Sequence, residues 1–162
     1  MYTMEFLEVL KKSEELLQFE AFDQEDAYRL GTLLRQAGME GVQPVAVRVV
    51  LDDLLVYQSF PNGTTAENGW WMDRKQATVM DSQTSSLRAL VERELFGVKA
   101  EWQADESAHA FCGGGFPIVV DGVLRGVAIV SGLPHLEDHA LLVQVLGDYL
   151  GCTVPKLPEV EE

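Results

Sequence analysis

Cysteine is scarce in this chain: 162 residues contain two, Cys112 and Cys152, with no C-x-x-C spacing. A zinc site takes about four ligands, so this pair excludes a structural zinc, and both cysteines read as reduced thiols. Basic side chains are scarce as well. Twelve Lys and Arg face 26 Asp and Glu, a formal net charge of −14. Nucleic acid and anionic bilayers are bound by neutralising phosphates, so this charge excludes both as partners. Long apolar runs are missing, and none reaches the roughly 20 residues that cross a bilayer. The opening stretch MYTMEFLEVLKKSEEL has no basic segment leading into an apolar run and a cleavage site. It does not read as a signal peptide, and a cytoplasmic protein is expected.

What is present suffices for a core. The apolar share is 47% and the charged share 23%, the balance of a soluble globular domain. A chain of this length buries roughly two-thirds of its unfolded surface, without need of disulfides. One domain is expected over residues 1–154. The acidic, Pro/Glu-rich tail over 155–162 reads as disordered.

Periodicity orders the elements. Phe6, Leu7, Leu10 and Leu17 recur at helical spacing and predict a helix over 4–18. Asp23 caps a second helix, whose apolar stripe is Ala27, Leu30, Leu33, Leu34 and Ala37 and which Gly38 stops. Val45–Leu51 and Leu54–Phe60 are apolar and β-branched, and Asp52-Asp53 between them reads as a tight hairpin. Thr64 followed by Glu67 is a capping-box pattern for a helix carrying Trp70 to Val79. Ser85 or a neighbour caps a short helix over Leu87–Phe96, and Gly97 ends it. His109–Cys112, Phe116–Val120 and Val123–Val130 read as three further strands, the last two joined by Asp121-Gly122. A final helix over 135–150 is apolar almost all round and must be buried on more than one side. The order α-α-β-β-α-α-β-β-β-α predicts an α/β (α+β) fold, one mostly antiparallel sheet with helices packed on it.

Four stretches could carry chemistry. In the Trp70–Lys75 segment, Trp71 and Lys75 lie one helical turn apart, as do Trp70 and Arg74. Two aromatic planes beside two cations suit a planar, anionic ligand, with Arg74 on a carboxylate. The plain alternative is tryptophans in the core and cations paired to local acids. Gly113-Gly114-Gly115 could present N–H groups to an oxyanion, or allow a close backbone approach. His135 and His139 share a helix face, but no third ligand completes a metal site, and none is expected. Cys112, ahead of the glycines, is either an accessible thiol or a buried, inert one. Ser85, Ser86 and Ser131 have no G-x-S-x-G context, so no catalytic nucleophile can be named.

Taken in order, these motifs resemble a known family. They are Asn68-x-Trp70-Trp71-x-x-Arg74-Lys75, Ser85-Ser86, Gly114-Gly115-Phe116-Pro117-Ile118, Val130-Ser131-Gly132-Leu133-Pro134 and Asp138-His139. The series resembles the haem-degrading-domain, GlcG-like (HbpS-like) family, over roughly residues 5–150, and most of all its bacterial and fungal branch. The resemblance implies a profilin-like fold with a five-stranded antiparallel sheet, and homodimers or larger rings. It also implies haem or another tetrapyrrole as candidate ligand, since some relatives bind haem. Other relatives are fused to cobalamin-processing enzymes or act as adaptors in protein targeting. In some haem binders a histidine on an N-terminal helix contacts the iron. This chain has no histidine before His109.

The leading expectation is an oligomeric module that binds a planar or anionic small molecule without clear catalysis. Its pocket would use Asn68, Trp70, Trp71, Arg74, Lys75, Gly114, Gly115, Ser131, Gly132 and His139. The Ser131-Gly132 turn precedes a helix N-terminus, whose free N–H groups attract anions. The alternatives are a small enzyme using His139 and Asp138 as acid–base groups, and a protein–protein adaptor.

Overall fold

The structure is a computed structural model describing residues 1–160; residues 161–162, the end of the acidic tail, lie outside the described residues. The elements are α1 (Met4–Leu16), α2 (Gln24–Met39), β1 (Ala46–Leu51), β2 (Leu54–Ser59), α3 (Ala66–Ser82), α4 (Ser86–Phe96), β3 (Gly115–Val120), β4 (Val123–Ser131) and α5 (His135–Leu150). A single 3-10 turn, Glu101–Ala104, interrupts the connection from α4 to β3.

The sheet is antiparallel throughout, in the order β2-β1-β4-β3. Both hairpins follow from turn chemistry. Asp52 and Asp53 take φ of 50° and 63°, and Asp121 and Gly122 take 52° and 78°. Two successive left-handed residues match the right-handed twist of the strands they join.

The central strands are buried on both faces, so β1 and β4 read as nearly continuous apolar runs. Successive side chains point to opposite sides. Val45, Val47, Val49 and Leu51 pack with Leu30 and Leu34 of α2 and Leu142 and Leu146 of α5. Ala46 and Val50 pack the other way, with Met72 and Val79 of α3 and Val127 and Ile129 of β4. Arg48 shares that second face and binds Asp73 and Gln76 of α3. The sheet therefore has α2 and α5 on one side and α3 on the other. A satellite cluster joins Phe6, Leu7 and Leu10 of α1 to Leu87 and Val91 of α4. Leu157 and Val160 of the tail, which has neither helix nor strand through residue 160, pack against it.

Three sequence expectations are corrected. Among the described residues the sheet has four strands, not five, because His109–Cys112 forms none. Its backbone is committed elsewhere: the His109 N–H goes to Asp105 O and the Ala110 N–H to Arg74 O. The outer edge of β3 is instead touched by one residue, Phe19, bridged in parallel to Val120. That contact blunts an edge strand that Pro117 already spoils for further pairing. The α3 cap is Thr65, with Asn68 closing the box, rather than Thr64 with Glu67. Thr64 uses its hydroxyl on Pro61 O. The first helix stops at Leu16, not residue 18.

Gly126 sits at the crossing of β1 and β4, where an added Cβ would lie 2.0 Å from Val50 O. Backbone cannot yield as a side-chain tip can. Gly126→Ala should cost about 2–3 kcal/mol, read as a lowered denaturation midpoint. Gly122→Ala meets no atom but keeps a φ of +78°, so it should cost the backbone strain alone, about 1–2 kcal/mol.

Candidate functional site

A cavity of about 620 Å³ opens between α3, the connection that follows the 3-10 turn, and the β4–α5 turn. Ligand pockets commonly fall between about 300 and 1,000 Å³. It is walled by Asn68, Trp71, Arg74 and Lys75 from α3, by Glu106 and His109 to Cys112, and by Ser131, Gly132, Leu133, His135 and Asp138.

Lys75 and Asp138 form its floor. Both are buried, 3% and 2% exposed, with Nζ to Oδ2 at 3.0 Å. The Lys75 ammonium also donates to Val130 O at 2.8 Å, and Asp138 Oδ1 accepts the Leu133 N–H at 3.0 Å. Burial pushes the Asp138 carboxyl up, against the downward pull of Lys75 and of the backbone N–H groups that bond it. The pair thus fastens α3 to the end of β4 and to the first turn of α5. Gly114 is required beneath it: φ is +126°, and a Cβ would lie 2.3 Å from Lys75 Nζ.

Arg74 does a different job from the one its sequence suggests. Its Nη2 donates to the carbonyls of Glu106 and His109, and its own carbonyl accepts the Ala110 N–H. It therefore latches the 105–111 connection to α3. The guanidinium carbon lies 4.3 Å from the Trp70 ring centroid and 4.9 Å from that of Trp71. Nε and Nη1 are buried with no hydrogen-bond partner. The latched connection is itself held by rings: Trp102 stacks on Phe111 at 5.9 Å, and Arg93 lies 3.7 Å over Phe111.

The three histidines differ sharply. His109 uses both nitrogens, Nε2 on Asp81 at 2.6 Å and Nδ1 on Asp105 O at 3.0 Å. His135, at the start of α5, accepts the Gly113 N–H on Nδ1 at 3.0 Å, and burial followed by Lys75 holds its pKa down. His139 is sealed beneath the glycine run with Nδ1 unpartnered, and burial drives its pKa down to about 4. Cys112 lines the cavity, and burial keeps its thiol pKa up despite Lys75 nearby.

Of the ten residues singled out from the sequence, Asn68, Trp71, Arg74, Lys75, Ser131 and Gly132 meet around this cavity. Trp70 faces outward at 49% exposure. Gly114, Gly115 and His139 lie behind the wall. The Gly115 N–H is taken by Ser86 Oγ and the Gly113 N–H by His135, so two of the three run amides are already spent. His139 and Asp138 cannot work as an acid–base pair on a cavity ligand, since His139 has no place in its lining. The wall from Glu106 to Phe111 was missed. Its signal was an unusual density of rings, Trp102, His109 and Phe111, in a polar connection. Among the described residues no three His, Cys, Asp or Glu side chains cluster to hold a metal ion, and no helix is long and apolar enough to cross a membrane.

Fold and site together define a class: a single antiparallel sheet between helices, with a polar-floored cavity at the end of β4. The chain belongs to the family described as haem degrading protein HbpS-like, whose profile matches residues 22–146. It is 34% identical over 146 residues to a UPF0303 protein of Mesorhizobium japonicum, covering 88% of this chain and 87% of that one. A UPF0303 protein of Zymomonas mobilis is 34% identical over 151 residues, covering 91% and 81%. Among solved structures, the Ybr137w protein superposes with TM-score 0.79 at 26% identity, covering 90% of this chain and 87% of that one. The PduOC–haem complex shares the fold, with TM-score 0.68 at 16% identity and coverage of 78% and 94%.

Losing a buried partner strands the other charge. Lys75→Met should cost about 3–5 kcal/mol in chemical denaturation, and adding Asp138→Leu should restore much of it. His139 gives a pH signature. Its pKa is below the unfolded value of about 6.5, so the stability it contributes is present above that value and lost as pH falls toward about 4. His139→Leu should remove up to about 3 kcal/mol of that acid loss, read as the difference between variant and parent. The difference is needed because Glu14, raised to about 7 by burial, acts oppositely: its contribution fades as pH rises.

Proposed function

We propose that this chain is a small-molecule-binding module whose cavity takes a planar ligand bearing an anionic group. The observation that carries this reading is one wall: Trp71, Arg74 and Lys75 side by side on an open cavity of about 620 Å³. The chain's net charge is −14, and this cavity sets two cations, Arg74 and Lys75, among the acids Glu67, Glu106 and Asp138. The polar contacts of Arg74 are carbonyls rather than carboxylates, so its charge is not cancelled by an ion pair. Trp71 supplies flat apolar surface for a ring system.

Haem is the sharpest candidate, from the family description and from the haem held by the same fold in PduOC. The residues here do not fit an axial histidine. Both His109 nitrogens are engaged, and His139 is sealed away. His135 receives an N–H on Nδ1, so a neutral ring carries its hydrogen on Nε2, the atom that would have to bind iron. Cys112 is held as a thiol rather than a thiolate. The reading is therefore binding through the ring plane and the acidic substituents, with no step assigned to iron.

Visible-absorbance titrations with hemin and with metal-free protoporphyrin test it. Both should saturate at a single site, with affinities within about threefold of each other if iron adds nothing. Trp71→Ala should weaken both by about fivefold or more. Failure of both to saturate, or indifference of both to Trp71→Ala, sinks the proposal. A hemin spectrum typical of histidine ligation would overturn the account of the histidines.

A further inference from the structure

The donors and acceptors at the inner end of the cavity specify more than a flat ligand. Lys75 Nζ has three hydrogens and two protein acceptors, Val130 O and Asp138 Oδ2. One donor remains, on a side chain only 3% exposed that lines the cavity. His135 Nδ1 is fixed as an acceptor by the Gly113 N–H, which leaves Nε2–H as a donor without a protein partner. Ser131 Oγ accepts from Asn68 and keeps its own hydrogen to give. The acceptor at the floor is engaged: Asp138 uses one oxygen on Lys75 and the other on the Leu133 N–H. A ligand group seated here meets donors. It must bring acceptors, or leave buried polar hydrogens unsatisfied.

Charge narrows the choice. The Lys75–Asp138 pair is neutral overall, so the floor offers hydrogen bonds rather than surplus positive charge. Arg74, whose polar contacts are both carbonyls, supplies one uncompensated positive charge on the adjoining wall. Glu67 lines the cavity too, so little positive charge is to spare beyond Arg74, and a singly charged group suits the site better than a dianion. A dianionic phosphate would sit against Asp138 and Glu67.

We infer that the inner end of this cavity takes one carboxylate of a flat ring acid, held by Lys75 and His135 with its ring toward Trp71. This rests on the planar-ligand reading above and adds the class of the anionic group. It also moves the carboxylate from Arg74, which holds the wall, to the two donors on the floor.

The probes are 2-naphthoate, 2-naphthylmethanol and 2-naphthyl phosphate, titrated against the full chain by calorimetry or tryptophan fluorescence. Naphthoate should bind at a single site about tenfold more tightly than the alcohol, and more tightly than the phosphate. Lys75 variants risk unfolding, so the decisive variant is His135→Phe, which keeps a ring and removes the donor. It should weaken naphthoate by about fivefold or more while leaving the alcohol unchanged, a split that a merely collapsed cavity could not produce. Equal binding of naphthoate and alcohol would overturn the carboxylate site and leave the planar-ligand reading standing. Tighter binding of the phosphate would overturn the preference for a singly charged group. Failure of all three to bind would overturn the carboxylate site, while the porphyrin titrations decide the planar-ligand reading separately.

Discussion

The buried contact between Lys75 and Asp138 is the constraint on which the rest of this molecule depends. It joins three elements at one point: α3 through Lys75, β4 through Val130 O, and α5 through Asp138. Apolar packing holds α3 and α5 on opposite faces of the sheet, but it does not decide where along the sheet each helix starts. A hydrogen-bonded charge pair does, because a displaced charge would be buried alone. The cost is desolvation of both ions. The return is a β4–α5 turn whose Leu133 N–H is also captured by Asp138. An apolar pair of similar volume could stabilise the fold as well, but it would not present an ammonium hydrogen to a cavity.

The cavity exists because the surrounding chain is held off that floor rather than collapsed onto it. Arg74 does this by pinning the Glu106 and His109 carbonyls, while Trp102 and Phe111 stack behind. The wall is therefore built from an irregular segment without strand pairing, held by the guanidiniums of Arg74 and Arg93 and a few rings. Irregular segments set on a rigid sheet are the usual carriers of binding function.

Much of this fold was legible in sequence, for physical reasons that are local. Asp23 and Ser85 cap where their side chains can reach the first free N–H groups, and Asp52-Asp53 and Asp121-Gly122 turn because they tolerate positive φ. The errors came where a competing hydrogen bond, local or distant, took the group that the pattern assigned elsewhere. His109–Cys112 has strand-like composition, yet its amides go to Asp105 and Arg74. Thr64 makes as good a cap as Thr65 on paper, but Pro61 O captures its hydroxyl. The site was half legible. Helical spacing put Asn68, Trp71, Arg74 and Lys75 together correctly, and the turn motif found Ser131 and Gly132. The same spacing could not say that Trp70 faces outward, nor that Arg74 turns its Nη2 to carbonyls. Those facts depend on a wall far away in sequence.

The glycine run shows how backbone geometry can set the chemistry of a side chain it never replaces. Gly114 lets the chain pass within reach of Lys75, where a Cβ would collide with the ammonium. That close passage brings the Gly113 N–H onto His135 Nδ1. The bond selects the tautomer, since a nitrogen that accepts cannot carry the hydrogen. His135 then faces the cavity as a donor. An imidazole with its hydrogen on Nδ1 would offer Nε2 as a lone pair, suited to a metal. This one offers Nε2–H, suited to an oxygen. The difference between a metal-binding and an anion-binding histidine here is thus decided by a backbone amide on the far side of the ring.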